Sequence, residues 1–260
     1  SCLRNPLRGL AHVVRWLRKN LTGHLLYQLN RAAIEFRTQW VSPDEIRFAS
    51  HRTDSWWRLG SVAGGGWDEL SFPFEHFDFY QSFVAVHGKS RTWDETPFYQ
   101  RVLGDIRAGK AKWGCRSRDQ LDQRLVHLQE LFESIGRFGF VPNHSDDQIR
   151  VDIGRDGDLL FADGRHRLTF AKIHRLDRIP IAIGIRHRLW ANFKRQIVRY
   201  AMRNRGQVYA PILHPDLDSI RAQHGHKRVE LMRQNLISRG GRMLDIGCHW
   251  GYFCHQFELL

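Results

Sequence analysis

The sequence predicts an α+β protein, on three observations. Residues 117–139 carry an apolar stripe at helical spacing: Leu121, Leu125, Leu128, Phe132 and Ile135. Two short apolar runs, 148–153 and 158–161, flank a Gly154-Arg155-Asp156-Gly157 turn and read as a hairpin. A further run, Ile179-Pro180-Ile181-Ala182-Ile183-Gly184-Ile185, reads as a strand that follows a helix starting near Gly164.

From the N-terminus, Leu3, Leu7, Leu10, Val14 and Leu17 recur at helical spacing with five basic residues between them, so residues 3–20 are expected to be helical. A second helix is expected over 25–40. Residues 41–46 change to a short strand and turn. Residues 50–115 are rich in aromatics and glycine, including Trp56-Trp57, Gly64-Gly65-Gly66-Trp67 and the run from Phe72 to Tyr80. That stretch reads as the least regular part, though its apolar area argues against disorder. Ser117 is placed to cap the next helix, and Gly136 or Gly139 to end it. Residues 189–240 read as mainly helical and basic, broken near Pro211 and Pro215, and 242–246 as a strand turning at Gly247 into a helix. The expected organisation is therefore N-terminal helices (1–40), a main domain (41–188) with an insertion (50–115), a helical connector (189–240) and a last segment (241–260).

The charge limits the partners. The 260 residues hold 40 Lys+Arg against 27 Asp+Glu, a formal net charge of +13. Such a field attracts nucleic acid, anionic lipid or nucleotide phosphates, although here it is spread along the chain rather than gathered in one arm. Cys2, Cys115, Cys248 and Cys254 fit neither a zinc site nor a disulfide framework, which points to a reducing, cytoplasmic setting and no dedicated metal site. No apolar run reaches the roughly 18 residues a spanning helix needs. The basic amphipathic stretch 3–20 leaves peripheral contact with an anionic membrane open, beside packing on its own domain. The chain starts at Ser1 and stops inside an apolar stretch, so both ends read as cut.

Asp163-Gly164-Arg165-His166-Arg167 carries the first chemistry. A strand runs into a glycine turn and directly into a helix, whose first amides lack internal partners and sit at the positive end of the dipole. That is an anion site before any side chain is counted. Gly164 permits close approach of backbone to a ligand. Arg165 and Arg167 add forked donors suited to phosphate, and His166 can donate a hydrogen bond or move a proton. Asp163 can orient the loop, touch a metal or cap the helix. A solvated surface turn is the plain alternative.

The ordered set Leu131-Phe132-Glu133-Ser134-Ile135, Gly139, the run 149–153, Gly164-Arg165-His166-Arg167 and Ile179-Pro180-Ile181 resembles the ParB/sulfiredoxin superfamily. Ser42-Pro43-Asp44-Glu45-Ile46 resembles that superfamily's opening strand, so the likeness covers about residues 41–188 apart from the insertion. The resemblance implies a mixed-sheet domain with a loop holding the phosphates of CTP, ATP or ADP with Mg²⁺. The form of the motif is nearer the kinase-like branch than the segregation proteins. Sulfiredoxin chemistry is disfavoured, because Arg165 stands where that family has cysteine. A phosphotransferase also needs an acid for Mg²⁺ or for the acceptor's proton. The candidates are Asp68, Glu69, Asp94 and Glu95 in the insertion, with His166 as proton carrier; Asp94 and Glu95 read equally as a helix N-terminus.

The second motif is Arg242-Met243-Leu244-Asp245-Ile246-Gly247-Cys248-His249-Trp250-Gly251. It resembles motif I of class I methyltransferases, with Asp245, Gly247 and Gly251 at the positions that meet S-adenosylmethionine, in a truncated Rossmann-like β-α start. One strand and one helix cannot bury a doubly wound sheet, so methyl transfer is expected only of a full-length protein. The expected function is a nucleotide-dependent phosphotransferase or nucleotidase acting on a small molecule or glycan, fused to a methyltransferase. The alternatives are a CTP-binding, DNA-binding protein of the segregation type, for which no convincing helix-turn-helix is found, and a nucleotide-sensing module without turnover.

Overall fold

A computed structural model describes residues 38–50, 60–69, 71–140, 148–235, 242 and 244–258. The helix expected at 3–20, with its membrane contact, and most of that at 25–40 lie outside these residues. Gln39 and Trp40, expected to end a helix, instead open a strand, because their backbone pairs with Ile181 and Pro180. The chain divides into two compact units, residues 1–187 and 188–260.

Among the described residues, the first unit is a mixed sheet with four α-helices. Its strands are β1 (Gln39–Val41), β2 (Phe48–Ala49), β3 (Val62–Ala63), β4 (Phe72–Pro73), β5 (Ile149–Ile153), β6 (Leu159–Asp163) and β7 (Ile179–His187). The order is β1-β7-β5-β6-β2-β4, with β3 also on β7. The β5–β6 hairpin is antiparallel as expected and closes through the Gly154 amide donating to the Asp158 carbonyl at 2.9 Å. β7 lies parallel to β5 and takes β1 at its start and β3 at its end along the other edge. Where β5 and β7 fall out of register, the buried Asp152 carboxylate accepts from the Ile185 amide at 2.8 Å, standing in for a backbone acceptor.

The helices are α1 (Asp78–His87), α2 (Pro97–Arg107), α3 (Arg118–Phe138) and α4 (Arg165–Ile173). α3 is the helix read from the sequence. The Ser117 hydroxyl accepts from the Gln120 amide at 3.2 Å, and Gly139 ends the helix at φ 66°. α1 and α2 correct the expectation of an irregular insertion. Their aromatics, Phe79, Phe83, Phe98 and Tyr99, join Leu121, Leu125, Phe132 and Phe170 in one buried cluster. α2 opens with Thr96 capping and Pro97 at the first turn. α3 and α4 pack closely at Gly136, where an added Cβ would sit 2.4 Å from the His174 ring. That ring lies on Phe132 at 4.0 Å and bonds its carbonyl at 2.9 Å, so it has little room to yield.

The second unit contains α5 (Arg188–Arg203), the parallel pair β8 (Gln207–Val208) and β9 (Arg221–Ala222), α6 (His226–Gln234) and α7 (Tyr252–Glu258). The break expected near Pro211 and Pro215 is present. There the buried Asp216 carboxylate accepts from Trp190 Nε1 at 3.0 Å and Lys194 Nζ at 2.7 Å. The strand expected at 242–246 is not formed in its described residues, and Leu244 and Ile246 are 84% and 89% exposed. A strand needs a neighbour to take its ladder groups, and no described strand lies beside this one. Among the described residues no helix is long and apolar enough to cross a membrane.

Candidate functional site

β6 delivers Asp163 to the sheet's end, and the chain turns at Gly164 (φ 92°, ψ 34°) straight into α4. The left-handed conformation suits glycine, and a Cβ there would stand 3.0 Å from Ile149 Cα, so the bend lies directly on β5. The Asp163 carboxylate accepts from the Gly164 amide at 2.8 Å and from Arg150 Nη2 at 2.7 Å. It therefore does not cap the helix, and no side chain caps α4. The open first turn borders a cavity of about 400 Å³ lined by residues 161–167 and, from elsewhere in the chain, Trp113 and Arg124.

Three guanidinium groups belong to this lining. Arg165 lies 4.0 Å over the Phe77 ring, with its Nε buried and without a hydrogen-bond partner. Burial makes its charge harder to hold, lowering its pKa from the usual guanidinium value, with Arg101 adding to the effect. Arg124 reaches in from α3 with its guanidinium 5.5 Å from the Trp113 ring. Arg167 follows on the first turn of α4. His166 sits edge-on between Phe79 (4.6 Å) and Trp113 (4.7 Å). Burial first, then the charges of Arg165, Arg124 and Arg167, lower its pKa to about 4, so the imidazole is neutral at pH 7. Among the described residues its ring nitrogens have no hydrogen-bond partner.

The candidate acids of the insertion are not brought to this bend. Asp68 lies at the opposite end of the β5–β6 hairpin, a strand's length of roughly 15 Å away. Its nearly buried carboxylate accepts from Arg155 through the backbone amide (2.7 Å), Nε (3.0 Å) and Nη2 (2.8 Å). Burial works to raise its pKa, but the Arg155 hydrogen bonds prevail and hold it at about 2. Glu69 pairs with the same arginine. These two acids clasp the loop 64–69 to the hairpin turn, and Gly65 extends the clasp by accepting from His187 Nε2 at 2.9 Å. Glu95 completes a capping box by accepting from the Thr92 amide at 2.8 Å. A hydrogen bond with Thr92 leads the causes that lower the Asp94 pKa.

The donor set suits phosphate oxygens. It offers Mg²⁺ little, since Asp163 is the one carboxylate in the lining and no cluster of three His, Cys, Asp or Glu side chains occurs among the described residues. In the second motif, Gly247 and Gly251 take positive φ (83° and 74°), and Asp245 approaches Cys254 Sγ at 4.0 Å. Without a strand among the described residues of 242–246, the motif is not set at the sheet edge that would meet S-adenosylmethionine.

Sequence reading missed Trp113, Arg124 and Phe77 as neighbours of the bend. Arg124 carried one signal, its place beside Leu121 and Leu125 at the border of the apolar stripe. Comparison with protein-family models, curated proteins and solved structures found no match.

Proposed function

We propose that the cavity at the start of α4 binds the terminal phosphates of a nucleotide, and that the chain is a nucleotide-dependent phosphotransferase acting on a hydroxyl of a small molecule or glycan. One observation carries this reading: an uncapped helix start opens on a cavity that Arg124, Arg165 and Arg167 line. ATP, ADP and CTP share the phosphate tail such a site would hold. The order of helix, hairpin, glycine bend, helix and strand supports a ParB/sulfiredoxin-like domain. In the transfer step, the acceptor oxygen would attack the terminal phosphorus as its bond to the bridging oxygen breaks. The electron pair leaves with the shortened nucleotide. His166 borders the cavity, and a phosphate bound beside it would raise its basicity, so it would be the group to take the hydroxyl proton.

A second reading, nucleotide sensing without turnover, is favoured by the engagement of Asp68, Glu69 and Glu95 elsewhere in the fold. A cytoplasmic setting belongs to the same proposal and accords with free thiols at Cys115, Cys248 and Cys254; peripheral membrane contact through residues 3–20 is the alternative to their packing on the domain.

The test is a thermal-shift screen against ATP, ADP, CTP and S-adenosylmethionine, with and without Mg²⁺. Stabilisation by a nucleotide through mass action, lost in Arg167→Gln, is the expected result. Formation of a phosphate ester on a hydroxyl acceptor, matched by release of the shortened nucleotide, separates transfer from sensing. A shift with S-adenosylmethionine alone would move the function to the other unit.

A further inference from the structure

Trp113 occupies a backbone conformation that its side chain does not favour. The Lys112 amide donates to the Cys115 carbonyl at 3.1 Å and the Cys115 amide to the Lys112 carbonyl at 2.8 Å, closing a two-residue turn. Both central residues have positive φ, Trp113 at 57° and Gly114 at 72°. Turns of this hand take Gly, Asn or Asp at the centre, and a bulky residue there is an outlier held by its surroundings. Those surroundings are informative. The ring meets Phe98 at 4.7 Å in the core and His166 at 4.7 Å at the cavity, and Arg124 lies over it. The turn thus sets a flat apolar plate beside the anion cavity, with a guanidinium resting on it.

Arg124 stands on α3, whereas Arg165 and Arg167 stand on the first turn of α4, so the cavity offers donors from two separate elements. That arrangement distinguishes kinds of phosphate. A phosphate esterified on two sides exposes two free oxygens and one charge. A terminal phosphate exposes three and carries nearly two charges near neutral pH. The α4 amides with Arg165 and Arg167 suffice for the first kind, and the third oxygen of the second calls for another donor. Resting on Trp113, Arg124 keeps its planar fork oriented at little entropic cost.

We infer that Arg124, plated on Trp113, is a specificity-determining residue that selects a free terminal phosphate over an esterified one. The inference rests on the phosphate-binding reading of the cavity. It narrows the ligand to nucleotides ending in an unsubstituted phosphate and excludes nucleotide sugars and other capped diphosphates.

The test uses calorimetric titration of the whole chain with two matched pairs, ADP against ADP-glucose and CDP against CDP-glucose. Within each pair the second member carries a glucosyl group on one terminal oxygen, which removes one free oxygen and one charge, and the Arg124→Gln variant separates that loss from the bulk of the sugar. In the pair that binds, the wild type is expected to prefer the free diphosphate by about 10- to 100-fold, the worth of a hydrogen bond to a charged group. Arg124→Gln should bring the diphosphate down to the affinity of its ester while leaving the ester unchanged. Arg124→Lys, which keeps charge without the fork, should retain part of the preference. Because Arg124 is exposed, the melting temperature without ligand should not move. Equal affinity for both members in the wild type, or equal loss of both in Arg124→Gln, would overturn the inference while leaving the phosphate site standing. No binding of either pair, or full binding of both in Arg167→Gln, would remove the underlying reading as well.

Discussion

His166 links the cavity to acidity. Its pKa in the fold, about 4, lies below the ordinary value of 6.5, so the fold favours the neutral ring. Above pH 6.5 the ring is neutral in both folded and unfolded chains and its contribution to stability is intact. As pH falls from 6.5 towards 4 the unfolded chain takes up the proton first, and stability is lost across that window. A group shifted this far accounts for roughly 3 kcal/mol. Urea denaturation at stepped pH should therefore show a steeper fall between pH 6.5 and 4 in the wild type than in His166→Gln. Identical slopes would mean that another group governs the acid limb. A bound phosphate beside the ring would favour the imidazolium, so complex formation below pH 6 should take up protons.

The elements separate two roles along one hairpin. One end of the β5–β6 pair carries the bend and its cavity, and the other carries the Asp68–Arg155 clasp. Asp68→Asn removes the charge from a nearly buried carboxylate whose arginine partner is partly exposed, and should lower the melting temperature. The nucleotide-induced thermal shift should survive, because the clasp lies a strand's length from the bend. Loss of ligand response with unchanged stability would instead assign Asp68 to the chemistry. Legibility in the sequence follows the same local logic. α3 could be read because its stripe, Ser117 and Gly139 are neighbours in the chain, and the bend at Gly164 because strand, glycine and helix follow one another. α1 and α2 were hidden by aromatics, which blur a helical stripe, although Thr96-Pro97 announced the start of α2. Strands of two residues, such as β2 and β4, exist only through pairing with distant chain. Arg124 and Trp113 join the cavity through the packing of α3, which no local pattern encodes. Residues 242–246 failed in the opposite sense, having a strand's composition without a described strand beside them.

At the scale of the whole molecule, the surplus of +13 charges predicts attraction to any polyanion, independent of the cavity. A short duplex DNA should bind weakly at about 0.05 M salt and at least tenfold more weakly at about 0.2 M. Arg167→Gln should leave that behaviour unchanged, since one charge among many is removed, while nucleotide stabilisation disappears. Gel retardation across a salt series checks both statements. A sequence-selective complex that persists at high salt would favour the segregation-type reading.

The contact of Gly164 with Ile149 has a kinetic side. Because the bend rests on a central strand, its amides keep their orientation before anything arrives, and an incoming anion finds no loop to wait for. Encounter should then proceed in one step, with a rate proportional to ligand concentration and quickened by the surrounding positive field. Ligands of different fit would part company in residence time rather than in speed of capture.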